Sequence, residues 1–289
     1  MSYHRYPLRL IITADDYGAS PRINAAIEAC LAAGALRATC VMANMPGYGE
    51  ASRLRQQFPD ASIGLHWNLT AGRPVAPPDQ VASLIDGQGR FWPAAAFRRR
   101  WLLGRIAPEH VLRELRAQYD RLALVAGQPD FWNTHQNIHL LPQLFSLTVA
   151  VARQLAIPAM RSHQRLWLPL RGASLRDRLI QPLAWLKGQV IAGWAAAAVR
   201  QGMRMPAGLI GLPESEAGLI TLAQMVAQMP RARVAPVELV VHPALQSAAE
   251  RSGALAEVQA REYALLRDPS LVDRLAAVGV QTVGFEALA

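Results

Sequence analysis

The stretch Leu8-Arg9-Leu10-Ile11-Ile12-Thr13-Ala14-Asp15-Asp16-Tyr17-Gly18 begins the pattern from which the fold can be predicted. Its first seven residues are nearly all apolar, as expected of a strand buried on both faces of a parallel sheet. Ser20-Pro21 then supplies a helix cap and first turn, and apolar residues recur at helical spacing over residues 23–31. A strand that leads directly into a helix is the unit of a β/α fold.

The same alternation continues along the chain. Further apolar runs that read as strands are residues 38–43, 62–65, 131–134, 158–160, 208–211, 237–241 and 280–283. Helices fit between them, most clearly at residues 109–126 and 144–155. About eight such units in 289 residues predict an α/β fold with mostly parallel strands, arranged as an irregular (β/α) barrel. Because no internal repeat or linker is visible, we expect a single domain over residues 1–289.

Composition limits the classes of protein that fit. A hydrophobic content of 52% and a charged content of 18% are typical of a globular chain. The net charge of +9 raises the question of nucleic-acid binding. Lys187 is the only lysine among 30 basic residues, so codon bias explains the arginine preference, although not the charge itself. A nucleic-acid-binding surface would also leave the histidines described below unexplained, so no nucleic-acid partner is predicted.

The two cysteines, Cys30 and Cys40, form no CxxC pair, and neither a disulfide framework nor a thiolate metal site is predicted. Residues 1–7 lack the apolar run of a secretory signal, and no stretch reaches the roughly 20 apolar residues of a spanning helix. The sequence therefore predicts a cytoplasmic protein.

Polar side chains gather where the predicted strands end, which is the edge that carries the active site in parallel β/α folds. The residues in question are Asp15 and Asp16 after the first strand, His66 after the third, His135 and His139 after the fourth, Arg161 after the fifth and His242 after the seventh. Each alone has an ordinary explanation, such as a turn, a cap or a polar loop residue. Four of seven histidines at strand ends is harder to explain in that way, and the set points to metal-dependent chemistry.

Three motifs resemble the YdjC-like carbohydrate deacetylases, a group that includes chitooligosaccharide deacetylases and hopanoid-biosynthesis deacetylases. The motifs are Thr13-Ala14-Asp15-Asp16-Tyr17-Gly18, Gly64-Leu65-His66-Trp67-Asn68-Leu69-Thr70 and Asn133-Thr134-His135-Gln136-Asn137-Ile138-His139-Leu140-Leu141-Pro142. With the late His242-Pro243 they follow the family's order over most of the chain. The resemblance implies an irregular (β/α) barrel that hydrolyses the amide of N-acetylated sugars.

The resemblance also implies roles for individual residues. The metal ligands would be Asp16, His66 and His135, and Asp15 would be the general base. His242 would be the general acid, with Arg161 against the base. The substrate would contact Tyr17, Asn68 and His139. A second ligand set, Asp16, His135 and His139, remains open, because two histidines four residues apart share a face if they are helical.

The chain departs from the family at three positions. Asn133-Thr134 stands where the family usually has Asp-Ser, Asn137 where it often has histidine, and Ala244 where it often has glycine. The lost aspartate would remove a partner that orients a metal-bound histidine. None of the departures removes a proposed ligand or proton carrier, so they bear on the substrate more than on the reaction.

The chemistry of amide hydrolysis agrees with these roles. A divalent metal on one carboxylate and two imidazoles keeps positions open for water and for the carbonyl oxygen. Asp15 could accept the proton of the water, and Arg161 would keep Asp15 ionised. His242 could then protonate the departing amine. Imidazole ligands favour zinc, and Mg²⁺, Co²⁺ and Ni²⁺ remain alternatives.

Other enzyme classes also fit parts of this pattern. Two histidines and one carboxylate occur in non-haem iron oxygenases, but neither a co-substrate motif nor a β-sandwich pattern is visible. A metal-dependent phosphoesterase remains an alternative. The amino sugar that would be deacetylated, free or lipid-linked, is not encoded in any motif.

One segment, residues 163–206, reads as an insertion that is both basic and apolar. From Arg165 to Arg204 it carries seven basic residues against the single acid Asp177, a net +6, together with Trp167, Trp185 and Trp194. Its apolar residues recur at helical spacing, which predicts a helix that covers the barrel or forms a homodimer interface. The alternative is a peripheral contact with the inner face of the membrane, which would imply a glycolipid substrate.

Overall fold

Short buried strands alternate with helices along the chain, as the sequence predicts. The computed structural model describes residues 7–164, 175–211, 235–245 and 254–288. The strands are β1 (Leu8–Tyr17), β2 (Ala38–Val41), β3 (Ser62–Trp67), β4 (Phe131–Thr134), β5 (Ala159–Met160), β6 (Gly208–Gly211), β7 (Val237–Val241) and β8 (Val280–Val283). The α-helices are α1 (Pro21–Ala32), α2 (Leu54–Gln57), α3 (Ala94–Leu102), α4 (Pro108–Ala126), α5 (Leu144–Gln154), α6 (Leu175–Arg200), α7 (Ala254–Leu266) and α8 (Ser270–Ala277).

Within these residues, the eight strands pair in parallel in one sheet, in the order β5-β4-β3-β2-β1-β7-β6, and β8 pairs with the first half of β1. The two ends of this order approach each other. Near them, the Leu209 N–H donates to the Gln164 carbonyl at 2.8 Å, and the Met160 N–H donates to the Arg204 carbonyl at 2.9 Å. The sheet therefore curls on itself, which confirms the predicted irregular (β/α) barrel.

Two strands run further than the sequence suggested. β1 continues to Tyr17, which pairs with Val41, and β3 continues to Trp67, which pairs with Thr134. The neighbouring strands extend the hydrogen-bonded ladder past the last purely apolar residue. As a result, the polar residues expected to follow β1 and β3 lie inside these strands, where the ladder fixes their backbones.

Alternation of side chains along the strands builds the interior of the barrel in layers. Its lower layer is the apolar cluster Ile11, Ala38, Cys40, Phe131, Ala159 and Phe285. One pleat further along β4 and β5, the same face carries Asn133 and Arg161, and along β1 it carries Asp15. An apolar lower layer therefore lies beneath a polar upper layer, whose members lie in a strand or, for Arg161, directly after one.

Gly64 on β3 leaves room for the aromatic part of the lower layer. A Cβ atom at this position would lie about 2.5 Å from the Phe131 ring, closer than a real Cβ approaches. The Phe131 ring stacks on Phe285, with ring centroids 3.7 Å apart and planes at 1°. A glycine inside a strand thus marks the place where two rings close the bottom of the barrel.

The predicted insertion is described only in part. Residues 165–174, including Trp167, lie outside the described residues, and so do the side chains of residues 175–187. α6 confirms the predicted helix, and its Trp194 stacks on Phe145 of α5 with centroids 5.3 Å apart. This part of α6 therefore packs against the barrel. Dimerisation, membrane contact and the single-domain boundary stay predictions. Among the described helices, none has the length and apolar character needed to cross a membrane.

Candidate active site

A bulge in β1 directs two successive aspartates into one cavity. The pairing of β1 with β2 shifts register between Ala14 and Tyr17, and Asp16 has a left-handed backbone with φ of 68°. In a regular strand successive side chains point to opposite faces. With this bulge, Asp15 and Asp16 both line the cavity but meet different partners.

Asp16 lies between two histidines. Its Oδ1 atom is 3.2 Å from His66 Nε2 and 3.1 Å from His135 Nδ1. One ligand atom from each of the three residues lies within 4.8 Å of the other two. Burial would raise the pKa of the Asp16 carboxyl, but the hydrogen bonds and charges of both histidines hold it well below its usual value. The cluster therefore presents an ionised carboxylate beside two imidazole nitrogens.

Asn133 connects this cluster to the other aspartate. Its Nδ2 donates to Asp15 Oδ1 at 3.1 Å, so its Oδ1 is left to accept from His66 Nδ1 at 2.5 Å. Burial opposes the charged form of His66, but the neighbouring acidic groups raise its pKa above the usual value, so without a metal Nε2 also carries a proton and donates to Asp16. With a metal bound, a proton kept on Nδ1 would leave the lone pair on Nε2, the nitrogen that faces Asp16. Asn133, where the resemblance led us to expect an aspartate, still offers an acceptor, and that acceptor serves His66.

Arg161 forms a bidentate ion pair with the second aspartate, Asp15. Its Nη1 and Nη2 atoms donate to the two carboxylate oxygens of Asp15 at 2.6 and 2.7 Å, and its Nε donates to Glu238 at 2.9 Å. All three side chains are buried. Burial would raise the pKa of Asp15, but the Arg161 guanidinium outweighs it and holds that pKa far below its usual range. Asp15 is therefore ionised at any working pH.

His242 follows β7 and lies on the other side of Asp15. Its Nε2 atom is 3.8 Å from Asp15 Oδ2, and 43% of its side chain is exposed. The main-chain N–H of His242 donates to Glu262 Oε2 of α7 at 2.6 Å. Glu262 is itself only 5% exposed, so α7 fixes the backbone while the imidazole stays open to the cavity.

The cavity holds about 330 Å³ and opens at the carboxyl ends of the strands. Its wall is made of Asp15, Asp16, His66, Thr134, His135, Gln136, Asn137, Arg161, Leu209, Ile210, Val240 and His242. The six residues predicted to carry metal and proton chemistry are thus brought to one cavity. Leu209, Ile210 and Val240 form the apolar part of its lining.

His139 lies elsewhere. Its side chain is buried, with Nδ1 2.6 Å from Thr134 Oγ1 and its ring edge-on to Trp132. Burial, with Arg161 and His66 nearby, lowers the pKa of His139 to about 3, so its ring is neutral. The turn after His135 is a short 3₁₀ helix with Gln136 in a left-handed conformation, rather than an α-helix. The ligand set built on His139 is therefore not assembled.

Tyr17 and Asn68 were also expected to contact the substrate, and the structure places both side chains away from the cavity. Both are fully buried, and neither is among the described residues that line the cavity. The Tyr17 hydroxyl donates to Glu28 at 2.7 Å, and the Asn68 amide donates to the Ala71 carbonyl at 2.8 Å. Both side chains stabilise the loops around the site, because their polar atoms are used inside the protein.

A second group of potential ligands lies deeper. Cys40 Sγ is 3.0 Å from Asp15 Oδ1 and 3.3 Å from His66 Nδ1. Both oxygens of Asp15 are already bound by Arg161. Burial and the charge of Asp15 raise the pKa of the Cys40 thiol to about 12. This group is therefore poorly suited to an exchangeable cation, and the Asp16 group is the better candidate.

No site role was predicted for Glu238, Glu262 or Cys40, although each touches a predicted site residue. Glu238 carried a signal, since a carboxylate in the middle of an apolar strand needs a buried partner. It also shares a strand face with His242, four residues on. Glu262 carried no comparable signal, because its contact depends on how α7 packs.

A protein-family model described as YdjC-like protein matches residues 9–277 of the chain. The chain belongs to this family. As a YdjC-like protein it is 28% identical over 281 residues to a carbohydrate deacetylase of Geobacillus stearothermophilus, a match that covers 96% of this chain and 97% of the relative.

Two further relatives match over a shorter stretch. A carbohydrate deacetylase of Brevibacillus brevis is 32% identical over 151 residues, 52% of this chain and 58% of the relative. A chitooligosaccharide deacetylase of Yersinia pestis is 30% identical over 154 residues, 52% of this chain and 57% of the relative. The match with this YdjC-like chain therefore spans little more than half the length of these two relatives.

A solved structure shares the fold of this YdjC-like chain. The crystal structure of a candidate cellobiose-phosphate cleavage protein from Enterococcus faecalis V583 superposes with a TM-score of 0.72. It covers 98% of this chain and 99% of its own, at 22% sequence identity. At this identity the likeness shows the fold alone.

Proposed function

We propose that this protein is a metal-dependent deacetylase that hydrolyses the N-acetyl group of an amino sugar. The observation that carries the proposal is the cluster of Asp16, His66 and His135 on the cavity wall, with Asp15 and His242 beside it. The names of the relatives, carbohydrate deacetylase and chitooligosaccharide deacetylase, support the substrate class.

The donor set fits a catalytic divalent cation. One carboxylate and two imidazoles are the ligand types of zinc sites, and three protein ligands leave positions for water and substrate. His66 presents Nε2 because Asn133 holds its Nδ1, which is how a supporting acceptor orients a metal-bound histidine. The bound cation would lower the pKa of water and polarise the acetyl carbonyl. Zinc is our first choice, with Co²⁺, Ni²⁺ and Mg²⁺ as alternatives.

The chain's own residues would move the protons. Asp15 is ionised and lies on the cavity wall, so it can accept a proton from the attacking water. Arg161 keeps the carboxylate oriented by holding both of its oxygens. His242 is close to Asp15 and half exposed, which lets it reach the sugar nitrogen and protonate it as the amide bond breaks.

The apolar side of the cavity fits the remaining part of an acetyl group. Leu209 on β6 and Val240 on β7 line the same cavity as the charged residues. We propose that the acetyl methyl group packs here while its carbonyl points towards Asp16.

Incubation of the metal-loaded protein with N-acetylated chitooligosaccharides and with N-acetylated glycolipids tests the proposal. Mass spectrometry should show the loss of one acetyl group, and free acetate should accumulate. Asp15→Asn serves as the matched control, since it should keep the metal and lose nearly all turnover. Wild-type protein that holds metal but releases no acetate from any N-acetylated sugar would contradict the proposal.

A further inference from the structure

A basic and apolar patch lies at the end of α3. Exposed side chains there belong to Arg98, Arg99, Leu102, Leu103 and Arg105. Leu102 is 64% exposed and Leu103 is 56% exposed, although both are large apolar residues. We call these five residues the α3 patch. Two neighbouring leucines open to solvent are unusual, and the exposure of a paired apolar surface marks a binding site more often than a lone exposed leucine does.

The patch is held rigidly by the protein. On the opposite side of α3, Phe97 is fully buried, and the Trp101 indole N–H donates to the Pro142 carbonyl at 2.9 Å. The helix ends at Leu102, Gly104 turns the chain with φ of 65°, and the Arg105 N–H donates back to the Arg100 carbonyl at 2.8 Å. The buried side fixes the helix, and so the leucines cannot turn inwards to cover themselves.

The patch is also joined to the rim of the active-site cavity. Arg98 Nη2 donates to the main-chain carbonyl of Gln136 at 2.8 Å, and Gln136 lines the cavity beside His135. A surface that contacted the α3 patch would therefore lie close to the opening through which the substrate enters.

Charge indicates what kind of surface this would be. Residues 94–108 contain four arginines and no acidic residue. Arg99 and Arg105 flank the two leucines, and Arg100 packs over the Trp92 ring at 4.2 Å. Apolar side chains that are flanked by cationic ones suit the boundary between anionic headgroups and acyl chains. A second copy of this chain would bring the same cations into contact with themselves, which disfavours self-association.

We propose that the α3 patch docks the protein on an anionic lipid surface, with Leu102 and Leu103 inserted and the arginines on the headgroups. What this docking implies about the substrate rests on the proposed deacetylation. With its cavity opening beside the docked patch, the enzyme takes an amino sugar carried by a lipid of that same surface.

Vesicle co-sedimentation with the full-length protein tests the docking. The vesicles are phosphatidylcholine alone, or phosphatidylcholine mixed with phosphatidylglycerol. We expect sedimentation with the mixed vesicles only, and release by high salt. Leu102→Ser/Leu103→Ser should weaken binding by about tenfold or more, because the inserted side chains are lost. Leu124→Ser is the matched control. Leu124 is 87% exposed near the end of α4, which leads into the amino end of β4, whereas the cavity opens at the carboxyl ends of the strands. This variant should bind vesicles like the wild type.

Two further measurements separate the outcomes. Acetate release from a water-soluble N-acetylated chitooligosaccharide should be equal in wild type and the leucine variant, so a loss of docking is not confused with a failed enzyme. Light scattering reports the mass in solution. Docking is overturned if the wild type stays in the supernatant with both vesicles, or if the leucine variant sediments like the wild type. It is equally overturned if the patch instead holds two copies together, seen as a dimer that the leucine variant converts to a monomer.

Discussion

Asn133 accepts a hydrogen bond from His66 through its Oδ1 atom at 2.5 Å, and the same amide donates to the general-base candidate Asp15. Replacing Asn133 with alanine removes the acceptor and frees the His66 ring to rotate or change tautomer. We expect metal affinity to fall by about 10–100-fold, the usual effect of losing a partner that orients a metal-bound histidine. Titration against a competing chelator measures this directly.

Asn133→Asp is the matched control, since a carboxylate keeps an acceptor for His66, while it replaces the donor to Asp15 with a negative charge. Its metal affinity should stay close to that of the wild type. Equal affinities for the alanine variant and the wild type would show that Asn133 does not orient the ligand.

The two histidines of the alternative ligand sets should behave in opposite ways. His66→Ala should lose bound metal, because Nε2 faces Asp16 at 3.2 Å. His139→Ala should keep the metal and lose about 2–4 kcal/mol of stability, because a buried ring is removed and leaves a cavity. Elemental analysis and thermal unfolding report the two quantities. If His139→Ala purified without metal and His66→Ala kept it, the assigned set would be wrong.

Arg161 sets the protonation of Asp15, so its removal should shift the pH dependence. Burial raises the pKa of Asp15, and Arg161 is the main opposing influence. In Arg161→Gln the carboxylate loses that cation, its pKa rises, and the base becomes protonated at a higher pH than before. The acidic limb that Asp15 causes in kcat/KM lies below the working pH range in the wild type, and in the variant it should lie at higher pH, as measured on an N-acetylated chitooligosaccharide with saturating metal.

The same substitution leaves Asp15 and Glu238 buried without their shared cation, so Arg161→Gln should also unfold at a lower temperature. Arg153→Gln is the matched control, because Arg153 is exposed on α5. Arg153→Gln should change neither the acidic limb of kcat/KM nor the unfolding temperature. An unchanged acidic limb in Arg161→Gln would exclude the proposed influence on Asp15.

Glu262 positions the general-acid candidate through the backbone of His242. Glu262→Ala should lower kcat by about 10–100-fold with little change in KM, since a small displacement of a proton donor is costly in rate. Glu262→Gln keeps an acceptor oxygen and should restore most of that loss. Glu257→Ala, on the exposed side of α7, should turn over like the wild type. If Glu262→Gln were as slow as the alanine variant, an acceptor alone would not explain the effect.

The barrel could be predicted from the sequence because its strands are short and buried on both faces. In the sequence, such strands appear as apolar runs, and the segments between them show the periodicity of helices, as in β1 and α1. Strand ends were less predictable, since the ladder that extends β3 to Trp67 depends on the neighbouring β4. The bulge at Asp16 was not predictable either, because a left-handed aspartate leaves no sign in the local pattern.

Among the candidate site residues, those at strand ends were found and those that support them were missed. Strand ends share one edge of a parallel sheet, so sequence position alone placed His66 and His135 near each other. Contacts such as Glu262 with His242 depend on packing between distant elements. Tyr17 and Asn68 lie away from the cavity, and a position inside a motif does not reveal whether a side chain points into the cavity or into the core.

The stacked rings of Phe131 and Phe285 have a consequence for how the molecule is made. Asp15 and Asp16 belong to the first strand, whereas Phe285 and β8, which pairs with β1, come near the end of the described chain. During synthesis, β1 with its two aspartates is made long before β8 and Phe285, so the bottom of the barrel cannot close until these last elements have been made. Such distant contacts slow folding. A chain shortened before β8 would keep every proposed ligand and proton carrier, yet lack the support that holds them in place.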